Sequence, residues 1–320
     1  MICLICNKSE SVSFRADYKL EIKSDKKFFE NQKIYSCKEC DFSFVNPMPK
    51  DDKINYFYKN IYRSVNRPPY WMTENYDDIK NTYLDDRNLN YLLYLTTLVD
   101  IKKIKNLFDF GAGYGDLGFA IKKNFPKVDL FCSENDDFCK PILNERNYKN
   151  FENLNDINIK FDLIITLHTL EHLTDINIFS KFYELLNKNG SIFFEVPNCP
   201  DEYFQGRPYD SPHLLFYTKR SIEKIANIYN MNIKNFSFSY YSFEDDHQYQ
   251  RESQNLYENL NKNLSFSKIK KIVKKITPKF LINFRRDLIN TKQVKSDDRI
   301  NLYSNNTGNN CYIRGILTKK

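Results

Sequence analysis

Two of the chain's four histidines fall in one short run, His168–Thr169–Leu170–Glu171–His172–Leu173. An imidazole that titrates near neutrality is suited to take a proton from a hydroxyl while that oxygen attacks an electrophile. His172 and His168 are therefore candidate catalytic bases, with Glu171 a third candidate between them. Further on, Tyr209–Asp210–Ser211–Pro212–His213 offers His213 as a substrate contact or alternative base and Tyr209 as a second substrate contact. A loop histidine satisfied by its neighbours is the bland reading of His213. No Asp/His grouping with divalent-metal spacing lies near these residues, so the sequence does not indicate metal-assisted catalysis.

A second constellation is built on glycine. Four of the eight glycines, Gly111, Gly113, Gly115 and Gly118, directly follow the apolar run Asn106–Leu107–Phe108–Asp109–Phe110. Glycine belongs where the backbone turns through positive φ or must come close to a ligand. A strand ending in an acid, then this turn, then the amphipathic stretch Asp116–Lys123 is the recipe for holding a nucleoside-like cofactor at the carboxyl end of a parallel strand. The G-x-G-x-G spacing differs from the G-x-G-x-x-G of a pyrophosphate loop. Asp109 and Asp116 beside it would repel a pyrophosphate and suit a ligand carrying an amine and a sulfonium. Glu134 ends the next apolar run, about 20 residues on, where an acid can accept hydrogen bonds from both ribose hydroxyls.

The third constellation is Cys3-x-x-Cys6 with Cys37-x-x-Cys40. Two such pairs have the spacing of zinc knuckles, and four thiolates satisfy a closed, structural Zn²⁺ site, iron–sulfur binding being the lesser alternative. Asn7 and Asp41, each just after a second cysteine, tolerate the positive φ a knuckle turn needs. Cys132, Cys139, Cys199 and Cys311 lack partner spacing and read as buried apolar residues.

The elements that must position these groups follow from hydrophobic pattern. Strands are expected at 107–110, 128–132, 148–151, 163–167 and 192–196, with helices between the first three and at Ile176–Leu186. A helix at Lys219–Tyr229 and strands at 231–243 and 310–317 follow, the last two as an antiparallel pair at the sheet edge. The expected fold is α/β: a Rossmann-like, seven-stranded, mostly parallel sheet with an antiparallel edge strand, plus a small N-terminal zinc-knuckle unit. Three parts are expected: a four-cysteine unit over 1–50, a helical aromatic lid or linker over 51–104, and a core over 105–320 with a basic insertion around 250–305. Tyr83–Val99 reads as one helix burying Leu84, Leu92, Leu95 and Leu98, and the aromatic stretch Tyr56–Trp71 as a sugar-stacking lid or, more often, helix-packing core.

The glycine segment Asp109–Gly115, Glu134, Phe161–Asp162–Leu163–Ile164–Ile165 and the turn Asn189–Gly190–Ser191–Ile192 together resemble the class I S-adenosylmethionine-dependent methyltransferases. The resemblance runs over about 105–230. It implies that Asp109 orients the methionine amine through the loop and that Gly111, Ala112 and Gly113 line the methionine portion. It also implies that Glu134 holds the ribose and that the neighbourhood of Leu154 flanks the adenine. Leu-Glu-His-Leu after the fourth strand is similar to a subgroup acting on sugars, quinones and small metabolites. Sugar C-methyltransferases carry a tyrosine two residues before that glutamate, where this chain has Thr169; with no extra carboxyl-terminal domain expected, O- or N-transfer is favoured. The four-cysteine unit leading into Asn46–Pro47–Met48–Pro49 resembles bacterial enzymes that decorate surface polysaccharides or nucleotide sugars.

Composition bounds the rest. Hydrophobic residues make up 41% and charged residues 28% of 320, ordinary for a globular protein, and the start of the sequence lacks the marks of a secretion signal. A cytoplasmic location, at most touching the inner face of the membrane, is expected. The net charge of +7 is local: residues 262–286 carry nine basic and no acidic side chains, so the remainder stands at −2. Within that segment 262–276 reads as a basic amphipathic helix, either packed on the sheet edge or resting on an anionic membrane. The rival reading, a nucleic-acid modifier or binder gripping with the zinc unit and basic helix, is weakened because the fourth strand is not followed by an Asn/Asp-Pro-Pro-aromatic motif. The expected partner is a small molecule or glycan precursor.

Overall fold

The computed structural model describes residues 1–20, 22–62, 86–205, 212–240 and 310–320. The chain divides into two compact units, Met1–Phe236 with Tyr312–Lys320, and Ser237–Cys311. Most of the second lies outside the described residues, as do the segment 262–276, Leu84 and the end of the aromatic stretch.

Eleven described strands form two sheets. The larger contains β4 (Asn106–Phe110), β5 (Asp129–Ser133), β6 (Tyr148–Asn150), β7 (Phe161–Leu167), β8 (Leu186–Pro197), β10 (Met231–Tyr240) and β11 (Asn310–Lys319), in the order β10-β11-β8-β7-β4-β5-β6. Pairings from β6 through β8 are parallel, and β11 runs antiparallel to β8. From β4 the chain winds outward to β6 and then crosses to β7 on the other side. The ends of β4 and β7 therefore flank the topological switch point, where open α/β sheets bind their ligands. The alternation of strand and helix expected from the sequence is present, with helices at Asp116–Asn124, Lys140–Glu145, Ile178–Leu185 and Lys219–Ile228. Residues 153–160, too short and polar for an α-helix, hold only a 3-10 turn, Leu154–Asp156.

The strands are apolar because both faces are covered. Leu107, Phe108, Leu163, Ile164, Ile165, Phe193 and Phe194 are all fully buried, and Phe108 stacks on Phe161 with ring centroids 4.8 Å apart. The helix Asp86–Leu98 adds Leu92 and Leu95 to this core. Asp162 works at the opposite edge from the switch point: its Oδ2 accepts the N–H groups of Lys105 at 2.8 Å and Asn106 at 3.1 Å, tying β7 to the start of β4. Strand β8 starts earlier than expected. It takes in Asn189–Gly190, and its register with β7 shifts between Phe161 and Leu163.

The smaller sheet, β1 (Val12–Asp17), β2 (Lys33–Cys37), β3 (Ser43–Asn46) and β9 (Leu215–Phe216), is antiparallel. Its fourth strand comes from far along the chain: Phe44 pairs with Leu215, and Val45 N–H donates to Leu214 O at 3.0 Å. The cysteine-bearing turns are thereby stitched to the segment that carries His213. Tyr18 adds a hydrogen bond from its hydroxyl to His213 O at 2.8 Å.

Candidate functional site

The glycine loop leaves β4 with Gly111, Gly113 and Gly115 at φ of +69°, +56° and +69°. A Cβ on Gly111 would overlap Thr169 Cγ2 and Oγ1 and stand 2.8 Å from Thr169 Cβ, so the loops after β4 and β7 touch at the switch point. Gly118 serves differently: it makes room for the Tyr148 hydroxyl, a packing role that the sequence reading assigned to a ligand or turn. Ala112 O accepts the Gly115 N–H at 2.8 Å, closing the turn.

Glu134 stands beside this loop. Its Oε2 accepts the Gly113 N–H at 2.7 Å and its Oε1 the Asp136 N–H at 2.9 Å. Its backbone N–H donates to Asn150 Oδ1 at 2.9 Å, so the ends of β5 and β6 fix the residue jointly. Asp109 lies beneath the loop, 6% exposed, with the Tyr148 hydroxyl 3.4 Å from Oδ2. Burial, followed by the charge of Glu134, pushes its carboxyl up to about 7. Arg146, almost wholly buried, pairs with Asp116 and donates to Tyr114 O at 2.6 Å, bracing the loop from behind. Leu154, half-buried, begins the turn beyond β6.

His168 directly follows β7 at φ +52°, a conformation that strains a side-chain-bearing residue and concentrates at functional sites. Its Nε2 is 2.9 Å from Glu195 Oε1, to which the Tyr91 hydroxyl also donates, and its Nδ1 is 3.5 Å from Glu171 Oε1. Arg314 donates to Glu195 Oε2 through Nε at 2.7 Å and Nη2 at 2.6 Å. Glu195 and Arg314 are partners across the β8–β11 ladder and are 1% and 3% exposed. The sequence reading missed both. The available signal was a lone acid in Ile192–Phe193–Phe194–Glu195–Val196 and a lone base in Tyr312–Ile313–Arg314–Gly315–Ile316.

Glu171 and His172 occupy the 3-10 turn Leu170–His172, and the fold brings His213 against them: the His172 and His213 rings lie 4.9 Å apart. His172 Nδ1 is 2.6 Å from Tyr58 Oη, and His213 Nδ1 is 3.2 Å from Tyr203 Oη. Burial is the main force lowering both imidazoles to about 3, so they are neutral at pH 7. A neutral, buried imidazole of this kind accepts a proton poorly, which bears on His172 as a base. The sequence also gave no sign of a divalent-metal grouping here; the structure assembles one carboxylate and two imidazoles from segments 42 residues apart. Tyr209 lies outside the described residues.

The cysteines converge on one point. Cys3 Sγ is 3.7 Å from Cys40 Sγ, and Cys3, Cys37 and Cys40 are buried. Tetrahedral zinc with bonds of about 2.3 Å sets sulfurs about 3.8 Å apart, so the spacing fits. Asn7 and Asp41 have φ of +55° and +53°, and their N–H groups donate to Cys3 O and Cys37 O at 3.0 Å and 2.9 Å. Cys132, Cys139 and Cys199 are buried, as expected, while the side chain of Cys311 lies outside the described residues.

Residues 81–234 match a protein-family model described as a methyltransferase domain. No curated protein matches the chain. Similar solved structures include coclaurine N-methyltransferase bound to N-methylheliamine and SAH (13% identity, 74% of this chain and 72% of that one, TM-score 0.45). An O-methyltransferase from a trans-AT PKS multienzyme of Brevibacillus brevis, in complex with S-adenosyl-L-homocysteine, is 13% identical over 72% of this chain and 71% of that one, with TM-score 0.41. An S-adenosylmethionine-dependent methyltransferase from Clostridium acetobutylicum is 15% identical over 52% of this chain and 89% of that one, with TM-score 0.40. These are likenesses of fold outline.

Proposed function

We propose that the protein is an S-adenosylmethionine-dependent methyltransferase, as the methyltransferase-domain match over 81–234 supports, and that its acceptor is a hydroxyl of a sugar, nucleotide sugar or surface-glycan intermediate. The observation that carries this reading is the pairing of two loops at the switch point: a glycine turn with Glu134 beside it, and His168 on the loop pressed against that turn. In the proposed complex Glu134 binds the ribose hydroxyls, and the backbone of Gly111, Ala112 and Gly113 approaches the methionine portion. Asp109, buried below, counters the positive amine and sulfonium, while Leu154 borders the adenine.

The acceptor oxygen attacks the methyl carbon, the carbon–sulfur bond breaks, and sulfur keeps the electron pair. The hydroxyl proton passes to His168 Nδ1. Glu195 orients this imidazole through Nε2, the arrangement of a base held by a carboxylate. Glu171, 3.5 Å away, stabilises the imidazolium that forms. Tyr58 and Tyr62, which surround His172, offer aromatic faces for a sugar ring. His172 and His213 complete the acceptor pocket in this reading.

The test is incubation with isotope-labelled S-adenosylmethionine and fractionated small metabolites, followed by mass spectrometry of the labelled product. Label on a sugar hydroxyl is expected, and replacing His168 with Asn is expected to lower kcat by about 10²–10⁴-fold. Label on carbon, nitrogen or nucleic acid would overturn the acceptor. The cysteine quartet is proposed to hold one structural zinc ion, knitting β1–β3 to β9; metal analysis finding none in the purified protein would refute this. Among the described residues no helix is long and apolar enough to cross a membrane.

A further inference from the structure

Glu171 is 1% exposed, and among the described residues neither of its carboxylate oxygens has a hydrogen-bond partner. His168 Nδ1 stands 3.5 Å from Oε1, beyond good hydrogen-bond geometry. A carboxylate removed from water without donors is unfavourable, so such groups are normally paired or bound to metal. Two imidazoles face it. One ligand atom each from Glu171, His172 and His213 lie within 4.8 Å of one another, a span that side-chain rotation closes onto bonds of about 2.1 Å.

The outer contacts of these histidines have the pattern of metal ligands. His172 Nδ1 is engaged by Tyr58 Oη at 2.6 Å and Pro212 O at 3.4 Å, and His213 Nδ1 by Tyr203 Oη at 3.2 Å. A ligating histidine ordinarily uses its other nitrogen in this way, which fixes the ring and presents Nε2. The backbone is fixed as well: Leu214 N–H donates to Glu171 O at 2.7 Å, and Tyr18 holds His213 O.

We infer that Glu171, His172 and His213 form a binding site for one divalent first-row transition-metal ion. Two imidazoles and a carboxylate suit Zn²⁺, Mn²⁺, Fe²⁺, Co²⁺ or Ni²⁺, and three protein ligands leave positions open for a hydroxyl. The use of such an ion, to hold the acceptor oxygen and lower its pKa beside His168, rests on the methyl-transfer reading. The binding itself does not.

The test titrates Mn²⁺ alone into the full-length protein, with free Mn²⁺ read by electron paramagnetic resonance and thermal melting recorded in parallel. Mn²⁺ prefers oxygen and nitrogen donors, which separates this site from the cysteine quartet. One bound ion per chain is expected. Glu171→Gln and His213→Asn are each expected to weaken binding at least tenfold and to abolish the rise in melting temperature with Mn²⁺. Glu171→Gln keeps the shape and removes a buried charge, so it is expected to fold. No stoichiometric Mn²⁺ on wild type, or equal binding by Glu171→Gln, would overturn the site. Neither acceptor nor S-adenosylmethionine is present, so a failed methyl-transfer assay would leave this result standing.

Discussion

Replacing Gly111 with Ala probes the contact between the two loops on which the proposed reaction depends. Two costs add. At φ +69° an L-residue pays about 1–2 kcal/mol for the left-handed conformation. The added Cβ also overlaps Thr169 Cγ2 and Oγ1, an overpacking that typically costs about 1–3 kcal/mol. Together Gly111→Ala is expected to destabilise by about 2–5 kcal/mol, read as a shift in urea unfolding midpoint. The second term is separable. Thr169→Ala deletes both overlapping atoms but leaves Cβ at 2.8 Å, while Thr169→Gly deletes all three. Measured within each Thr169 background, the cost of Gly111→Ala should fall stepwise to the backbone term of about 1–2 kcal/mol. An equal cost in all three backgrounds would mean that the loops after β4 and β7 do not touch, and the reasoning that joins cofactor and base would fail.

Asp109 gives a pH signature. Its carboxyl is raised to about 7 from an ordinary value of 3.8, so the folded state binds the proton more tightly than the unfolded chain. Stability contributed by this group is therefore full below about pH 4 and is lost as pH rises toward 7, by about 4 kcal/mol at most. Asp109→Asn should remove that slope, its advantage over wild type growing from pH 4 to 7 and then levelling; parallel slopes would refute the assignment. Arg314→Leu strands Glu195 without its main counter-charge and is expected to cost about 3–5 kcal/mol in the same unfolding measurement. Adding Glu195→Gln should restore most of the loss, and no recovery would show that the pair is not the source.

The large sheet was legible because its strands are apolar runs separated by helical periods, and because the glycine turn and Glu134 are neighbours along one βαβ unit. The knuckle turns were legible for the same local reason: Asn7 and Asp41 each sit one residue past a cysteine pair. What escaped was non-local. Strand β9 has two residues, too few for any period, and its partner β3 lies about 170 residues away. The Glu195–Arg314 pair spans 119 residues, and His213 reaches Glu171 through long-range links such as the β3–β9 stitch and the Leu214–Glu171 hydrogen bond. Gly118 was read with the loop because spacing alone does not separate a glycine that admits a ligand from one that admits Tyr148.

Calorimetric titration with S-adenosylmethionine, on wild type and on Glu134→Ala, tests the central claim most directly. Wild type should bind one equivalent, and the variant, having lost a bidentate acceptor for the ribose, should bind at least about tenfold more weakly. Binding unchanged in Glu134→Ala, or no heat with this donor while a nicotinamide dinucleotide bound, would contradict the account.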